Sequence, residues 1–327
     1  MTLTTANDAI HQALREELAR DPRVIVFGEG VASKRQDLVR DFGAARVRNT
    51  PLAEAIIAGT AAGAAATGLR PVIALLFAPF LCYSMDALVN SAGKLRYISG
   101  GQFAFPMVAM AYTGGGWTVG AQHNHNLEAW FVHSPGLKVV MPSNAADFKG
   151  LLKAAVRDDN PVLFFIDMAL AYAPGEVPEG DHVVPLGVAA RPREGRDVSL
   201  IAYAKTVPAC LQAAEALEAA GVSAEVLDLR TLKPLDEAAI LASARKTGRV
   251  IVVHEAGRMC GVGAEVAAVV AERAFGSLKA PVLRLTGPDA PAPSSFVLEH
   301  AFSPQPETIA AAALQLAGRA LAEPATV

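Results

Sequence analysis

Short apolar runs typical of buried strands alternate along the chain with stretches of helical length. Apolar strands that alternate with helices predict parallel sheets covered on both faces, so we expect an α/β fold with two doubly wound domains. In the first half the pattern predicts strands at residues 24–27, 71–77, 107–111, 138–141 and 162–167, and helices at residues 5–20, 34–42, 55–69, 80–97, 124–132 and 145–157.

The same alternation continues after a segment rich in proline and glycine at residues 172–187. We therefore predict a first domain at 1–175, a linker at 176–190 and a second, smaller α/β domain at 191–327. In this second domain the pattern predicts strands at residues 197–203, 224–229, 250–254 and 282–285, and helices at residues 207–220, 235–246, 263–275 and 307–321.

Composition excludes several classes of protein. The chain has 327 residues and a net charge of -3, which gives no reason to expect a nucleic-acid or membrane partner. No stretch is apolar enough to span a bilayer, and residues 1–21 resemble an amphipathic helix rather than a signal peptide. Three scattered cysteines, without metal or redox spacing, are typical of a reducing compartment. We expect a cytoplasmic protein.

The helix predicted at residues 55–69 contains no charged residue. Its start is marked by a single carboxylate, Glu54, which comes directly before it. A helix that is apolar or small all round belongs in an interior, and we expect Thr50 to cap it and Pro51 to begin it. A carboxyl group in such a site would be held neutral and could donate a hydrogen bond to a ring nitrogen. The alternative is a carboxylate placed there by the helix dipole. Gly59 and Gly63 lie on one face, where small residues allow another backbone to come close.

A second candidate is the sequence Gln122-His123-Asn124-His125-Asn126, which follows a glycine-rich loop. Loops at strand ends are where ligands bind in such sheets, and a histidine there can act as acid or base near neutral pH. A solvated surface loop is the equal alternative. Single histidines at the ends of other elements, His133 and His254, are expected to be structural.

Several motifs in this chain together resemble the beta subunit of the thiamine-diphosphate-dependent 2-oxo acid dehydrogenases, a family that includes the pyruvate, branched-chain and acetoin enzymes. The resemblance covers nearly the whole chain. Thr50-Pro51-Leu52-Ala53-Glu54, followed by Gly59 and Gly63, is similar to the family's cofactor-activating motif. Further matching segments are residues 90–94 (NSAGK), 99–102 (SGGQ), 121–123 (AQH), 135–140 (PGLKVV), 149–152 (KGLL), 157–161 (RDDNP), 228–236 (DLRTLKPLD) and 261–265 (GVGAE).

This resemblance implies roles for single residues. Glu54 would hydrogen-bond the aminopyrimidine nitrogen of the cofactor and so promote loss of the thiazolium proton. His123 would handle protons on the substrate or the lipoyl group. The aminopyrimidine pocket would be lined by Leu52, Leu76 and Phe80, and a structural potassium site would be formed by Ala155, Val156, Asp158 and Asn160.

One motif of thiamine enzymes is absent, because the sequence has no Gly-Asp-Gly segment to hold Mg²⁺ and the diphosphate. The resemblance therefore implies that an alpha subunit supplies this half of the site in an α2β2 heterotetramer. It also implies acyl transfer to the lipoyl group of an acyltransferase core.

The chain departs from the pyruvate enzymes around the presumed substrate entrance. It has a shorter segment after Gly28-Glu29, no Arg-x-Pro pattern at residues 110–116, Pro79 where an acid or amide is common, and an additional His125. These differences leave open which 2-oxo acid, or acetoin, is the substrate. A split transketolase-like ketol transferase and a non-catalytic scaffolding subunit are the alternative functions.

Overall fold

The computed structural model describes residues 1–319, and within them the chain forms three sheets. The strands are short, and three of them, β7, β10 and β11, consist entirely of buried residues. In chain order they are β1 (Thr2–Thr5), β2 (Val24–Gly28), β3 (Val47–Asn49), β4 (Arg70–Phe77), β5 (Val108–Thr113), β6 (Lys138–Val140), β7 (Val162–Asp167), β8 (Pro174–Val177), β9 (Ala190–Arg193), β10 (Val198–Ala202), β11 (Ala224–Asp228), β12 (Thr231–Lys233), β13 (Val250–Gly257) and β14 (Leu283–Gly287).

Helices connect most of the strands. Where a strand is followed by a helix and then a parallel strand, the helix returns the chain across one face of the sheet. The α-helices are α1 (Ala6–Arg20), α2 (Val31–Lys34), α3 (Gln36–Phe42), α4 (Glu54–Ala66), α5 (Gly93–Ile98), α6 (Glu128–His133), α7 (Ala145–Arg157), α8 (Thr206–Ala219), α9 (Glu237–Thr247), α10 (Val262–Ala274), α11 (Phe296–Phe302) and α12 (Pro306–Leu316). Tighter or wider turns occur at Ala78–Ser84 (3-10), Asp86–Ala92 (π) and Phe275–Ser277 (3-10).

The first sheet has seven strands in the order β12-β6-β7-β5-β4-β2-β3, all parallel except β12. One face packs against α4 and α6 and the other against α1 and α7. The second sheet has the order β14-β13-β10-β11-β9, and only β9 is antiparallel. The expected α/β fold with two doubly wound sheets is therefore confirmed.

The two halves are joined more closely than the sequence indicates. Strand β12 belongs to the second half by sequence, yet it pairs with β6 of the first sheet. One apolar core, which includes Ile57 and Phe131 of the first half, continues into the second half through Ile201 and Val252. The predicted boundaries at 175 and 191 stay a proposed division, and the end of the second domain, at residues 320–327, lies outside the described residues.

Three predictions about helices need correction. The single helix predicted at residues 80–97 is instead a 3-10 turn, a π-helical segment and α5, and Pro79 lies in the first turn of this run, where it has no N–H to donate. The predicted helix at 34–42 is split into α2 and α3. The last helix ends at Leu316 rather than 321, and residue 321 lies outside the described residues.

Among residues 1–319, none of the helices combines the length and the apolar content that a bilayer crossing requires.

Candidate active site

Four parallel strands of the first sheet, β3, β2, β4 and β5, end at the same edge, and the sequence candidates follow those ends. Residues 50–54 come after β3, and Glu29 comes directly after β2. Leu76 is the second-last residue of β4, and Phe80 lies just beyond that strand. His123 lies in the loop after β5. The carboxyl edge of a parallel sheet is where ligands bind in this class of fold. The structure therefore brings Glu54, the predicted pocket residues and His123 to one edge of one sheet, whereas the residues assigned to potassium precede β7.

Glu54 is the first residue of α4, and the residue that precedes the helix is Ala53, whose side chain cannot cap it. The predicted cap at Thr50 is therefore wrong, and Pro51 lies before the helix rather than in its first turn. A carboxylate at this position is favoured by the helix dipole. The hydroxyl of Ser84 donates to the carbonyl oxygen of Glu54 at 2.9 Å, which fixes the start of the helix against the 3-10 turn.

The expectation that α4 is buried all round is also wrong for this chain. Its inner face, with Ile57 and Ala61, is buried, but the outer face is open to solvent and Ile56 is 70% exposed. A Cβ atom added at Gly59 or Gly63 would meet no atom of residues 1–319 within 4 Å. Leu52 is also 77% exposed. The uncharged outer face of α4 is therefore exposed in this chain, and Glu54 is half-buried at the N-terminal end of the helix.

Glu29 is a carboxylate that the sequence analysis did not assign to the site. It is 8% exposed, and its Oε1 atom has no hydrogen-bond partner within the described residues. Burial, and next the negative charge of Glu54, raise the pKa of Glu29 above its usual value. Glu29 and Leu76 line the same small cavity. The sequence signal for this part of the site was Gly28-Glu29-Gly30. Only glycine fits at position 28, because the backbone there has φ 144° and approaches Ala74 more closely than a residue with a side chain could.

His123 lies beside two phenylalanines. Its ring centroid is 4.7 Å from that of Phe77 and 5.5 Å from that of Phe80, and both rings meet it edge to face. The backbone N–H of His123 donates to the carbonyl of Gly120 at 3.1 Å. The structure therefore places His123 and Phe80 together, and Phe77 is a neighbour that the sequence analysis missed. Phe77 is the last residue of β4, and in the sequence an apolar residue at that place cannot be told from an ordinary core residue.

Other histidines have plainer surroundings. His254 is fully buried, burial lowers its pKa to about 4, and its Nε2 accepts a hydrogen bond from the N–H of Gly263 at 3.3 Å. His125 and His133 are exposed. Within residues 1–319, no group of three or more histidine, cysteine, aspartate or glutamate side chains is arranged to hold a metal ion.

The segment assigned to potassium forms one tight turn at the end of α7. Arg70 Nη1 donates to the carbonyls of Val156 and Asp158 at 3.0 Å each. The Asp158 carboxylate accepts from the Nδ2 of Asn160 at 2.9 Å and from Lys138. A carbonyl oxygen has two lone pairs, so these bonds leave further acceptor capacity. The potassium assignment, which also includes Ala155, stays a prediction.

Comparisons with known proteins identify the domains of the chain. The family described as the transketolase pyrimidine binding domain matches residues 3–171, and the transketolase C-terminal domain matches residues 187–309. A split-gene transketolase, solved as an inactive beta4 tetramer, superposes with a TM-score of 0.82 at 25% identity, over 96% of this chain and 99% of that chain.

Relatives of known name are more similar in sequence. The 2-oxoisovalerate dehydrogenase subunit beta of Bacillus subtilis is 44% identical over 97% of this chain and 99% of the relative. The acetoin:2,6-dichlorophenolindophenol oxidoreductase subunit beta of the same organism is 41% identical over 95% and 96%. The mitochondrial pyruvate dehydrogenase E1 component subunit beta-2 of Oryza sativa is 41% identical over 98% and 88%. The chain therefore belongs to the thiamine-diphosphate-dependent family of dehydrogenase beta subunits that these relatives represent.

Proposed function

We propose that this chain supplies the aminopyrimidine half of a thiamine diphosphate site in a 2-oxo acid or acetoin dehydrogenase. The observation that carries the proposal is the position of Glu54 and His123. Both lie at the carboxyl edge of the first sheet, and Glu54 begins a helix whose outer face is open. Half of a site is on this chain, and the open face offers a place for the other half.

The polar groups at this edge fit the aminopyrimidine ring. Glu54 is half-buried, and covering the exposed face of α4 would remove it further from water. A protonated carboxyl group has an O–H that can donate, so Glu54 is the group proposed to form the hydrogen bond with the ring nitrogen. Burial, and next the charge of Glu54, raise the pKa of Glu29, and its buried Oε1 has no hydrogen-bond partner among residues 1–319.

When bound, thiamine diphosphate supplies the electron sink for cleavage next to a carbonyl group. The side chains of this chain do the rest of the proposed work. Glu54 orients the ring and holds the proton at its nitrogen. His123 transfers protons to or from substrate oxygen or lipoyl sulfur, and Phe77 and Phe80 keep its ring in one orientation and exclude water from one side.

The partner in this proposal is an alpha subunit in an α2β2 heterotetramer. The sequence has no Gly-Asp-Gly segment for Mg²⁺ and the diphosphate, so the alpha subunit would contribute those ligands. The outer face of α4, with Gly59 and Gly63, supports close packing with the alpha subunit because nothing among residues 1–319 covers those glycines. The acyl group would pass to the lipoyl group of an acyltransferase core.

Two further assignments, a potassium ion and a cytoplasmic location, have fewer observations behind them. A potassium ion at residues 155–160 would order the end of α7, and its test is the thermal midpoint in potassium chloride against choline chloride. A cytoplasmic location is supported by the three cysteines, which are all free thiols, with Cys210 buried and Cys82 and Cys260 exposed.

The test is 2-oxo acid-dependent reduction of an artificial electron acceptor, with thiamine diphosphate and Mg²⁺, by the chain alone and with its co-purified alpha subunit. The substrates are pyruvate, branched-chain 2-oxo acids and acetoin. We expect activity only with the alpha subunit, and the substrate that gives the highest kcat/KM identifies the enzyme. Activity of this chain alone would refute the divided site.

The likeness to a split-gene transketolase favours one alternative, transfer of a ketol group to a sugar phosphate. A pentose phosphate assayed with the same complex separates the two, because a dehydrogenase gives no ketol product. A scaffolding subunit is the other alternative. It requires Glu54→Gln to leave the activity of the complex intact.

A further inference from the structure

The loop that carries His123 runs from the end of β5 to α6 and contains neither helix nor strand. Four of its residues, Gly114, Gly116, Thr118 and Gly120, have positive φ angles. Thr118, at φ 54°, is a β-branched residue in a conformation that such residues rarely adopt. A loop with this backbone needs bonds from outside to hold it in one shape.

Those bonds come from the second domain. Glu299, in α11, is 7% exposed, and its two carboxylate oxygens accept the backbone N–H of Thr118 at 3.1 and 3.2 Å. One of them also accepts from the Nδ2 of Asn124, the residue next to His123. Asn124 is 1% exposed, and its Oδ1 has no hydrogen-bond partner in the part of the chain that the structure describes, so Glu299 is the group that fixes this amide.

A second carboxylate, Glu255 at the end of β13, holds both ends of the same loop. It accepts the N–H of Gly115 and the Nδ2 of Asn126, each at 3.2 Å. Glu255 is also paired with Lys205, whose ammonium group donates to the Gly115 carbonyl at 3.0 Å. The removal of Glu255 would leave Lys205 without its partner in a buried place. Glu299 takes part in no ion pair among residues 1–319, so it is the cleaner residue to change.

The glycine run of this loop follows from the same carboxylates. A Cβ on Gly114 would lie 2.5 Å from an oxygen of Glu255, and one on Gly115 would lie 2.9 Å from the Cγ of Glu299. Real Cβ atoms do not come so close. The glycines are therefore needed to let the two acids reach the backbone.

We infer that Glu299 is a positioning residue, which fixes the turn from Thr118 to Asn124 and so presents His123 to the active site. The inference rests on the proposed role of His123. Charge-assisted bonds to backbone N–H groups are about twice as strong as neutral ones, and a carboxylate that accepts two different donors fixes their relative position. Glu299 has no hydrogen bond to His123 itself, so it would act through the loop.

The experiment is a double-mutant cycle of Glu299→Ala and His123→Ala in the complex with the alpha subunit. Misplacement of a reacting group by about 1 Å costs up to roughly 100-fold in rate, so we expect Glu299→Ala to lower kcat by about 10- to 100-fold with little change in KM. In the His123→Ala background the same change should lower kcat by less than about twofold, because residues that act as a unit are not additive. Glu307→Ala, an exposed glutamate in the next helix, is the matched control.

Two further variants keep the test decisive if Glu299→Ala does not assemble. Glu299→Gln keeps one carbonyl oxygen that can accept both donors, so it should restore most of kcat. Asn124→Ala removes one of the two bonds and should give part of the loss.

A full Glu299→Ala effect on top of His123→Ala would overturn the inference, because the residue would then act on stability or assembly alone. If His123→Ala itself leaves kcat unchanged, the proposed role of His123 fails instead. The two failures are therefore separate results.

Discussion

The imidazole ring of His123 stands edge to face against the ring of Phe80, with 5.5 Å between the centroids and 89° between the planes. His123 lies in the loop after β5, and Phe80 lies in the 3-10 turn after β4. Both segments follow the carboxyl edge of the same sheet. Aromatic pairs in this geometry contribute about 0.5–1.5 kcal/mol beyond the area they bury. The contact therefore limits the orientations open to the imidazole before any substrate arrives.

His123→Ala should lower kcat of the complex by roughly 10²- to 10⁴-fold, the usual contribution of a positioned acid or base. The loss is measured by 2-oxo acid-dependent reduction of an artificial acceptor. His125→Ala is the matched control, because that side chain is exposed and lies two residues away in the same loop. An equal loss in both variants would indicate damage to the loop rather than the removal of an acid or base.

Glu54→Gln should also lower kcat by roughly 10²- to 10⁴-fold, because an amide keeps the shape of the carboxyl group but cannot transfer its proton. The unfolding free energy of the chain should fall by no more than about 1 kcal/mol, the value of a carboxylate at a helix start. Glu307→Gln, in the first turn of α12, is the control and should keep full activity. A Glu54→Gln complex with wild-type kcat would return Glu54 to a role in the helix dipole alone.

Part of this arrangement was predictable from sequence, because apolar periodicity is local. The runs that became β2, β4, β5 and β7 were predicted within a few residues, and Glu54 stood out as the one carboxylate before an uncharged helix. The exposure of the outer face of α4 was not predictable. An apolar pattern that packs against a second chain is the same as one that packs inside its own chain.

Long-range pairs left no local signal. Strand β12 has three residues, and nothing in Thr231–Lys233 indicates that its partner is β6, far back in the chain. The contact between Glu299 and Asn124 joins the short helix α11 to a loop about 175 residues earlier in the chain. Glu29 was visible only as a glutamate between two glycines, a pattern with many other meanings. Such contacts depend on how the domains meet, which the pattern of single elements does not determine.

Asp228 links the domains and predicts a dependence of stability on pH. Its carboxylate is 1% exposed and accepts from the hydroxyl of Ser143 and the N–H of Arg230. Burial, and to a smaller extent the charge of Asp147, raise the pKa of Asp228 to about 7, against the partly compensating bonds and the charge of Arg230.

The folded chain therefore keeps a proton on Asp228 that the unfolded chain loses near pH 4. Because the folded state then binds more protons, the unfolding free energy falls as pH rises between about 4 and 7, by at most about 1.4 kcal/mol per pH unit for this one group. Asp228→Asn should lack this fall, so its stability relative to wild type increases with pH across that window. Urea unfolding of both proteins at several pH values measures the difference. Parallel stability curves would show that Asp228 ionises alike in both states.

The open face of α4 gives one prediction for the stability of the isolated chain and another for its assembly with the alpha subunit. Glycine within a helix costs roughly 0.5–1 kcal/mol relative to alanine, and in the described part of the chain a Cβ at Gly59 would meet nothing within 4 Å. Gly59→Ala should therefore raise the unfolding free energy of the isolated chain by about that amount. Gly59→Leu should fold equally well.

In the presence of the alpha subunit, Gly59→Leu should fail to form the heterotetramer, because a leucine side chain prevents the close approach that a small-residue face permits. Size-exclusion chromatography with light scattering measures the assembly, and Ala216→Leu on the exposed side of α8 is the matched control. A Gly59→Leu chain that assembles and is fully active would show that the alpha subunit does not pack on this face. Glu54, which is half-buried at the N-terminal end of α4, would then have to be shielded from solvent by another surface.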